Sequence, residues 1–481
     1  MRLSRISLVV PLVCAFSACV LAADRAFISY ANAKPVLDQL LDQPLDQSGD
    51  LLPAELRNPN EVKWRAWSQR QDKAIRARLQ QGDLDSMVNL LFYGTSFTKQ
   101  PRIKVEALTE ASKAGILRAR VDDLVAGLRT PGDNERLTFL NGLLRSQGID
   151  PGAPGETGVF IYKNVQRVIQ EMGTLAKRAE EARRLTQPDV VRPGAVPDPA
   201  AIFNWRPGLF RDRGVSLDTN IFPDFSIEQA LRDLKNRGVL REGQVARVAV
   251  IGPGLDVVDK NERSSYDYYP QQTLQPFALY DSLVRLRLAG AGGVSMSVFD
   301  ISSRVIDHIR RARELAMRNT GYTIQLPRQV GDPWPAGLIA YWRSLGDRMG
   351  AEVAPIRPPE AFQTADNGQT ANGGLGLETR AVRIRPDVVL RCQPENLNIV
   401  LERIPLAEAD RFDLMVGTNI FIYYDAFERS LALENAGAML KHGGLLLTND
   451  RLPEVRGGSM RQAGLTDVQY NRDAVGWYQK K

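Results

Sequence analysis

A chain of 481 residues with 43% hydrophobic and 25% charged residues is longer than one ordinary core needs, and this composition excludes a disordered protein. Its formal charge of +6 is scattered among mixed acids and bases, falls to +4 without Arg2 and Arg5, and gives no footprint for nucleic acid. Its two histidines, His308 and His442, lie near no Cys or His partner, so no metal site and no His-based triad is expected.

The first residues, MRLSRISLVVPLVCAFSACVLAAD, join two arginines, an apolar run and the small pair Ala22-Ala23. This is the layout of a signal peptide over residues 1–22 that directs export to the periplasm or beyond; an uncleaved membrane anchor is the alternative. Cys14 and Cys19 fall inside it, so Cys392 remains alone and forms no internal disulfide. Residues 23–60, rich in Asp, Gln, Pro and Leu, read as an extended lead-in with one short helix. From 61 to 186 the apolar spacing is helical, as in Val165, Val168, Ile169, Met172 and Leu175, and this predicts an all-α domain. Trp64 and Trp67 stand in the basic segment WRAWSQRQDKAIRAR, either as a ligand surface or as buried anchors with solvated arginines outside. Residues 187–225 carry the proline-rich run QPDVVRPGAVPDPAAIFNWRPG, a linker or wrapping segment. A helix is expected to start at Ser226 with a capping box to Gln229 and to stop at Gly238.

Val245 to Ile251 is a β-branched run of the kind covered on both faces in a parallel sheet, and Gly252-Pro253-Gly254 follows at once. Glycines at such a strand end let a ligand approach backbone N–H groups. A second apolar strand ends in Asp300-Ile301 before an amphipathic helix. An acid there accepts both hydroxyl protons of a ribose, or it caps the helix that begins at Ser302.

The third block runs from Phe412 to Asp450, FDLMVGTNIFIYYDAFERSLALENAGAMLKHGGLLLTND. Its Asp413, Asn419, Ile422, Tyr423, Arg429 and Gly443-Gly444 stand in a pattern that resembles class I S-adenosylmethionine-dependent methyltransferases, and most resembles the chemotaxis-receptor glutamate methyltransferases. The resemblance implies an α/β Rossmann-like methyltransferase fold over 226–481, a mostly parallel sheet with helices on both faces, preceded by the all-α domain. It implies S-adenosyl-L-methionine as cofactor, held by Gly252, Pro253, Gly254, Asp256, Asp300, Ile301, Glu402 and Asn419. Leu397 to Pro405 would be the third strand. Asn419, Tyr423 and Tyr268 would line the side of a small-molecule or protein methyl acceptor. The chain departs from the pattern at Val250, where an acid is usual, and at Asp256, where a third glycine is usual. Asp300 follows Gly252 by 48 positions against about 20 in a plain unit, so an insertion is expected over 256–275. It carries Tyr266, Tyr268 and Tyr269 and reads as a lid or as a loop packed on the helical domain. A second insertion is expected over 357–380. Two rival functions share these features: a nicotinamide oxidoreductase, and an exported non-catalytic binding protein on a degenerate methyltransferase fold, the latter because the methyl donor is made in the cytoplasm.

Overall fold

The computed structural model describes residues 25–42, 52–100, 102–103, 111–186, 213–216, 218, 222–258, 267–290, 292–329, 334–356, 378–468 and 473–481. The residues expected to form a signal peptide, most of the proline-rich segment and nearly all of the second insertion lie outside the described residues. Among the described residues no helix is long and apolar enough to cross a membrane.

The lead-in holds a short strand, β1 (Ala26–Phe27), and α1 (Tyr30–Leu41). Four helices follow: α2 (Glu61–Tyr93), α3 (Ala111–Arg129), α4 (Glu135–Ser146) and α5 (Pro154–Thr186). Asn60 and Asn134 start α2 and α4 by accepting backbone N–H groups of the first turn that have no helical partner. The helix expected from Ser226 begins earlier, as α6 (Phe222–Asn236). Ser226 sits in its second turn and donates to Asp473 at 3.0 Å, so the capping box is not formed; the expected stop is seen, with Gly238 at φ 73°.

The α/β part runs β2 (Arg247–Ile251), β3 (Asp256–Val258), β4 (Asp267–Gln272), α7 (Gln275–Arg285), β5 (Ser295–Asp300), α8 (Ser303–Met317), β6 (Tyr322–Gln329), α9 (Ala336–Ser344), β7 (Gly350–Val353), β8 (Glu378–Ile384), α10 (Pro386–Val389), β9 (Cys392–Asn396), β10 (Glu402–Arg403), β11 (Phe412–Gly417), α11 (Ala426–Met439), β12 (Leu440–Thr448), β13 (Met460–Val468) and β14 (Asp473–Lys480). The main sheet has seven strands in the order β13-β14-β12-β11-β2-β5-β9, parallel throughout except that β14 runs against both its neighbours. Read from β9, this is the Rossmann-like order of third, second, first, fourth and fifth strands, with an antiparallel strand slipped between fifth and sixth.

Two expectations need correction. The third strand is the polar edge strand Cys392–Asn396, while Leu397 onward turns away until Glu402–Arg403 pairs with β1. Pro394 is tolerated because an edge strand leaves one side of its backbone unpaired. The connection from second to third strand also contains more than a loop, since β6, β8 and β7 form a separate antiparallel sheet.

The helical and α/β parts share a core. One cluster of buried residues runs from Leu91 and Val165 in the helices to Val248, Val298 and Leu414 in the sheet. On the other face Trp64, Trp67 and Ile75 of α2 pack with Phe427 and Leu431 of α11 and with Met415 of β11. Trp67 lies 5.2 Å from Phe427 between ring centroids, and the Trp64 indole N–H donates to the Ile28 carbonyl at 2.7 Å. The tryptophans are buried anchors, and each large apolar side chain so covered is worth about 1.5–3 kcal/mol.

Candidate functional site

β2 ends in the buried run Val248 to Ile251, and the site's first glycine, Gly252, follows it at once. Gly252 and Gly254 adopt φ 61° and 62°, and the Gly252 N–H donates to the Phe299 carbonyl at 2.7 Å. A Cβ on Gly252 would lie 2.1 Å from Ile420 Cδ1, so both conformation and packing require glycine here. Pro253 between them is buried.

Asp300 ends β5 beside this turn. Its Oδ1 accepts the Ser302 N–H at 2.8 Å, and its carboxylate also accepts backbone N–H groups of Gly254 and Ile301. The acid therefore holds the chain just ahead of α8, at its N-cap residue Ser302, and fastens the glycine turn at once. Burial pushes its carboxyl up to about 7 despite those three donors.

A small cavity opens at this point. Its floor is the ends of β2 and β5, with Ile251, Gly252, Gly254, Phe299, Asp300 and Ile301; Leu397 and Ile399 beyond β9 form one wall, and Ile420 and Tyr424 beyond β11 the other. It thus sits at the carboxyl edge where the order turns from first strand to fourth, the switch point at which open α/β sheets bind ligands.

Helix α2 and the short segment Arg213–Ser216 close it. Val215 and Ser216 line the cavity directly. The Val215 N–H donates to the Arg78 carbonyl at 3.1 Å, and a Cβ on Gly82 would lie 1.8 Å from the Val215 carbonyl oxygen, so glycine lets the segment lie against the helix. The Arg78 guanidinium donates to the Tyr423 carbonyl at 2.8 Å and to the Arg213 carbonyl at 2.8 and 3.0 Å. Arg76 donates to Asn396 Oδ1 at 2.7 Å and pairs with Glu402 at 3.0 Å.

The expected site residues therefore divide. Gly252, Gly254, Asp300 and Ile301 meet in one cavity. The Glu402 carboxylate is held by Arg76 and by the Asn398 N–H at 2.8 Å and is not part of the cavity lining. Asn419, at φ 57°, exchanges hydrogen bonds with Asn449, its N–H donating to Asn449 Oδ1 at 2.8 Å and its Oδ1 accepting at 3.0 Å. Tyr423 accepts the Ser216 N–H at its phenol, and burial pushes that phenol up to about 12. Asp256 is buried beside the turn, and its carboxylate accepts the Leu274 N–H. Tyr268 belongs to β4, and its side chain lies outside the described residues. The first insertion forms the hairpin β3–β4 and docks on the helical part: the Gln271 N–H donates to Glu135, and Arg136 stacks 5.4 Å from the centre of the Tyr269 ring.

Ser216, Leu397, Ile399 and Tyr424 were not singled out from the sequence. The basic segment on α2 was, but Arg76 and Arg78 in it bind Asn396, Glu402, Tyr423 and Arg213 of the surrounding chain instead of standing in solvent.

No family model and no curated protein matches the chain. Solved structures that align with part of it are S-adenosylmethionine-dependent methyltransferases. A TehB-like enzyme from Corynebacterium glutamicum is 12% identical over 55% of this chain and 100% of its own, with a TM-score of 0.21. Magnesium protoporphyrin IX methyltransferase from Synechocystis, solved with bound cofactor, is 11% identical over 60% and 100%, with a TM-score of 0.24. An rRNA methyltransferase from Streptomyces viridochromogenes is 11% identical over 55% and 85%, with a TM-score of 0.26. Scores this low do not establish likeness over the whole chain, and its own sheet order and cavity carry the functional reading.

Proposed function

We propose that the chain binds S-adenosylmethionine at this cavity and transfers its methyl group to an acceptor. The observation that carries this is the meeting of the glycine turn, Asp300 and the ends of β5 and β9 in one cavity at the switch point. Asp300 suits a ribose diol, since its carboxylate accepts both hydroxyl protons, and the aliphatic walls of Ile301, Leu397 and Ile399 suit a purine. Methyl transfer is a displacement for which holding donor and acceptor in line and keeping water out is most of the task. The α2 roof and the Arg213–Ser216 segment support that exclusion.

A dinucleotide fits less well. Its pyrophosphate rests on a helix N-terminus directly after the glycine turn. Here the turn leads into strand β3, and the next helix begins only at Gln275.

Titrating S-adenosylhomocysteine into residues 23–481 by calorimetry tests the reading. Saturable binding, weakened about 10–100-fold by Asp300→Ala through loss of charged hydrogen bonds, is expected. No heat at millimolar ligand would overturn it and leave the non-catalytic binding protein. We also infer that residues 1–22 direct export. The two arginines, the apolar run and the small pair Ala22-Ala23 support this reading, with cleavage after Ala22. Mass spectrometry of the N-terminus after secretion checks it, and an intact Met1 in the folded, exported chain would refute cleavage.

A further inference from the structure

The cavity wall formed by Leu397 and Ile399 belongs to residues 397–401, which are neither strand nor helix. Irregular segments are among the first parts of a fold to open unless other elements hold them. Yet both wall side chains are buried, at 2% and 3% exposure. The Leu397 N–H donates to the Asp300 carbonyl at 3.0 Å, which sets the wall directly beside the acid. The middle of the stretch is held from two helices: Asn435 of α11 donates to the Ile399 and Val400 carbonyls, both at 3.0 Å, and Asn398 donates to Asp72 of α2 at 2.8 Å. Its outer ends are held by the lead-in, far away in sequence. On one side the Arg25 guanidinium donates to the Asn396 carbonyl at 2.6 Å and lies 3.7 Å from the Glu402 carboxylate. On the other, the Ile28 N–H donates to the Leu401 carbonyl at 2.8 Å, and β1 sets Ala26 opposite Arg403 and Phe27 opposite Glu402. The Ile28 carbonyl accepts the Trp64 indole N–H at 2.7 Å, so this strap is itself fixed to α2.

We propose that residues 25–28 are a positioning element of the site, which sets Leu397 and Ile399 against the purine of the cofactor. This rests on the cofactor reading above. A purine gains from these side chains only while they stand beside Asp300 and Ile301. Strap and ligand therefore favour the same arrangement of the wall, and each strengthens the other's hold. Arg25 is the residue through which to read this, because its side chain is 42% exposed and its removal opens no cavity in the core.

Calorimetry on the full chain tests the coupling. Arg25→Ala is expected to weaken S-adenosylhomocysteine about three- to tenfold, the scale of one partly exposed charged hydrogen bond. 5′-Methylthioadenosine, which keeps purine and ribose but lacks the amino-acid part, should lose the same factor. Arg25→Lys keeps a cationic donor for the Asn396 carbonyl and should bring both ligands back to within about twofold of the wild type. In the wild type, S-adenosylhomocysteine should also slow amide hydrogen exchange at Ile28 and Leu401 at least about threefold, which a strap that only ties the chain together would not show. Unchanged affinity in Arg25→Ala, or unchanged exchange at Ile28 on ligand binding, overturns the proposal while leaving the cofactor site standing. A loss for S-adenosylhomocysteine that 5′-methylthioadenosine does not share also overturns it, because the effect then lies at the amino-acid end. Failure of S-adenosylhomocysteine to bind the wild type overturns the cofactor reading itself, and this inference with it.

Discussion

Asp300 performs two tasks that pull against each other. Its carboxylate ties Ser302, Ile301 and Gly254 together, yet burial pushes it up to about 7 from the ordinary 3.8. A group raised in this way contributes stability that is fully present below about 3.8 and is lost as pH rises through about 7. Asp300→Asn keeps one acceptor oxygen and carries no charge, so it should match the wild type in thermal unfolding at acid pH. At pH 8 it should be the more stable, by up to about 4 kcal/mol, each unit of pKa being worth about 1.4 kcal/mol. Unfolding curves at pH 3 and pH 8 check both halves, and equal wild-type and variant stability at pH 8 would show that the carboxylate is not strained. The same ionisation should strengthen S-adenosylhomocysteine binding between pH 6 and pH 8, since the ionised acid accepts both ribose hydroxyls. Gly252 makes a second point at this scale: Gly252→Ala meets both a positive φ and Ile420 Cδ1, and should lower stability by about 2–4 kcal/mol. Adding Ile420→Ala should relieve the contact but not the backbone conformation, so chemical denaturation of the double variant should show non-additivity.

Helix α2 is the element that makes a cavity out of a sheet edge, and Arg78 is the clasp. Its guanidinium holds two carbonyls, Arg213 on the covering segment and Tyr423 beyond β11. Arg78→Met keeps most of the stem and removes those bonds, which should cost about 2–4 kcal/mol of stability and speed release of S-adenosylhomocysteine about tenfold or more. Stopped-flow displacement reads the release rate, and an unchanged rate would mean that ligands leave by another path. This element also marks how far the sequence could be read. The floor of the site was legible, because a buried strand that ends in glycines and a second that ends in Asp300 carry their signal within a few adjacent residues. The roof was not, because Arg78, Gly82 and Val215 meet only after the chain has folded, and an arginine aimed at carbonyls looks in sequence like one aimed at water. The third strand was misplaced for a related reason: LNIVLERIP is more apolar than CQPEN, but an edge strand needs little hydrophobicity once β5 supplies its hydrogen bonds.

At the scale of the whole molecule, the helical part and the α/β part do not behave as beads on a string. Arg76 and Gln71 of α2 reach Glu402 and Glu428 of the α/β part at 3.0 and 2.7 Å, and Ser86 and Asn89 hold Asp218. The buried cluster that includes Leu91 and Val165 is continuous with that of Val248 and Leu414. Chains of this size often unfold in steps because their cores are separate. Here separation would uncover apolar surface on both parts and strand the partners of Arg76 and Arg78, so the two should melt together. Calorimetry of residues 23–481 should give one transition whose van't Hoff and calorimetric enthalpies agree, and a ligand bound under the roof should raise that single midpoint. The fragment 226–481 should lose near-UV circular dichroism and expose apolar surface to dye, since it lacks the roof as well as Trp64 and Trp67, which cover Phe427. Two resolved transitions, with the ligand shifting only the later one, would instead assign the cavity to the α/β part alone and reduce α2 to a cover that the fold does not require.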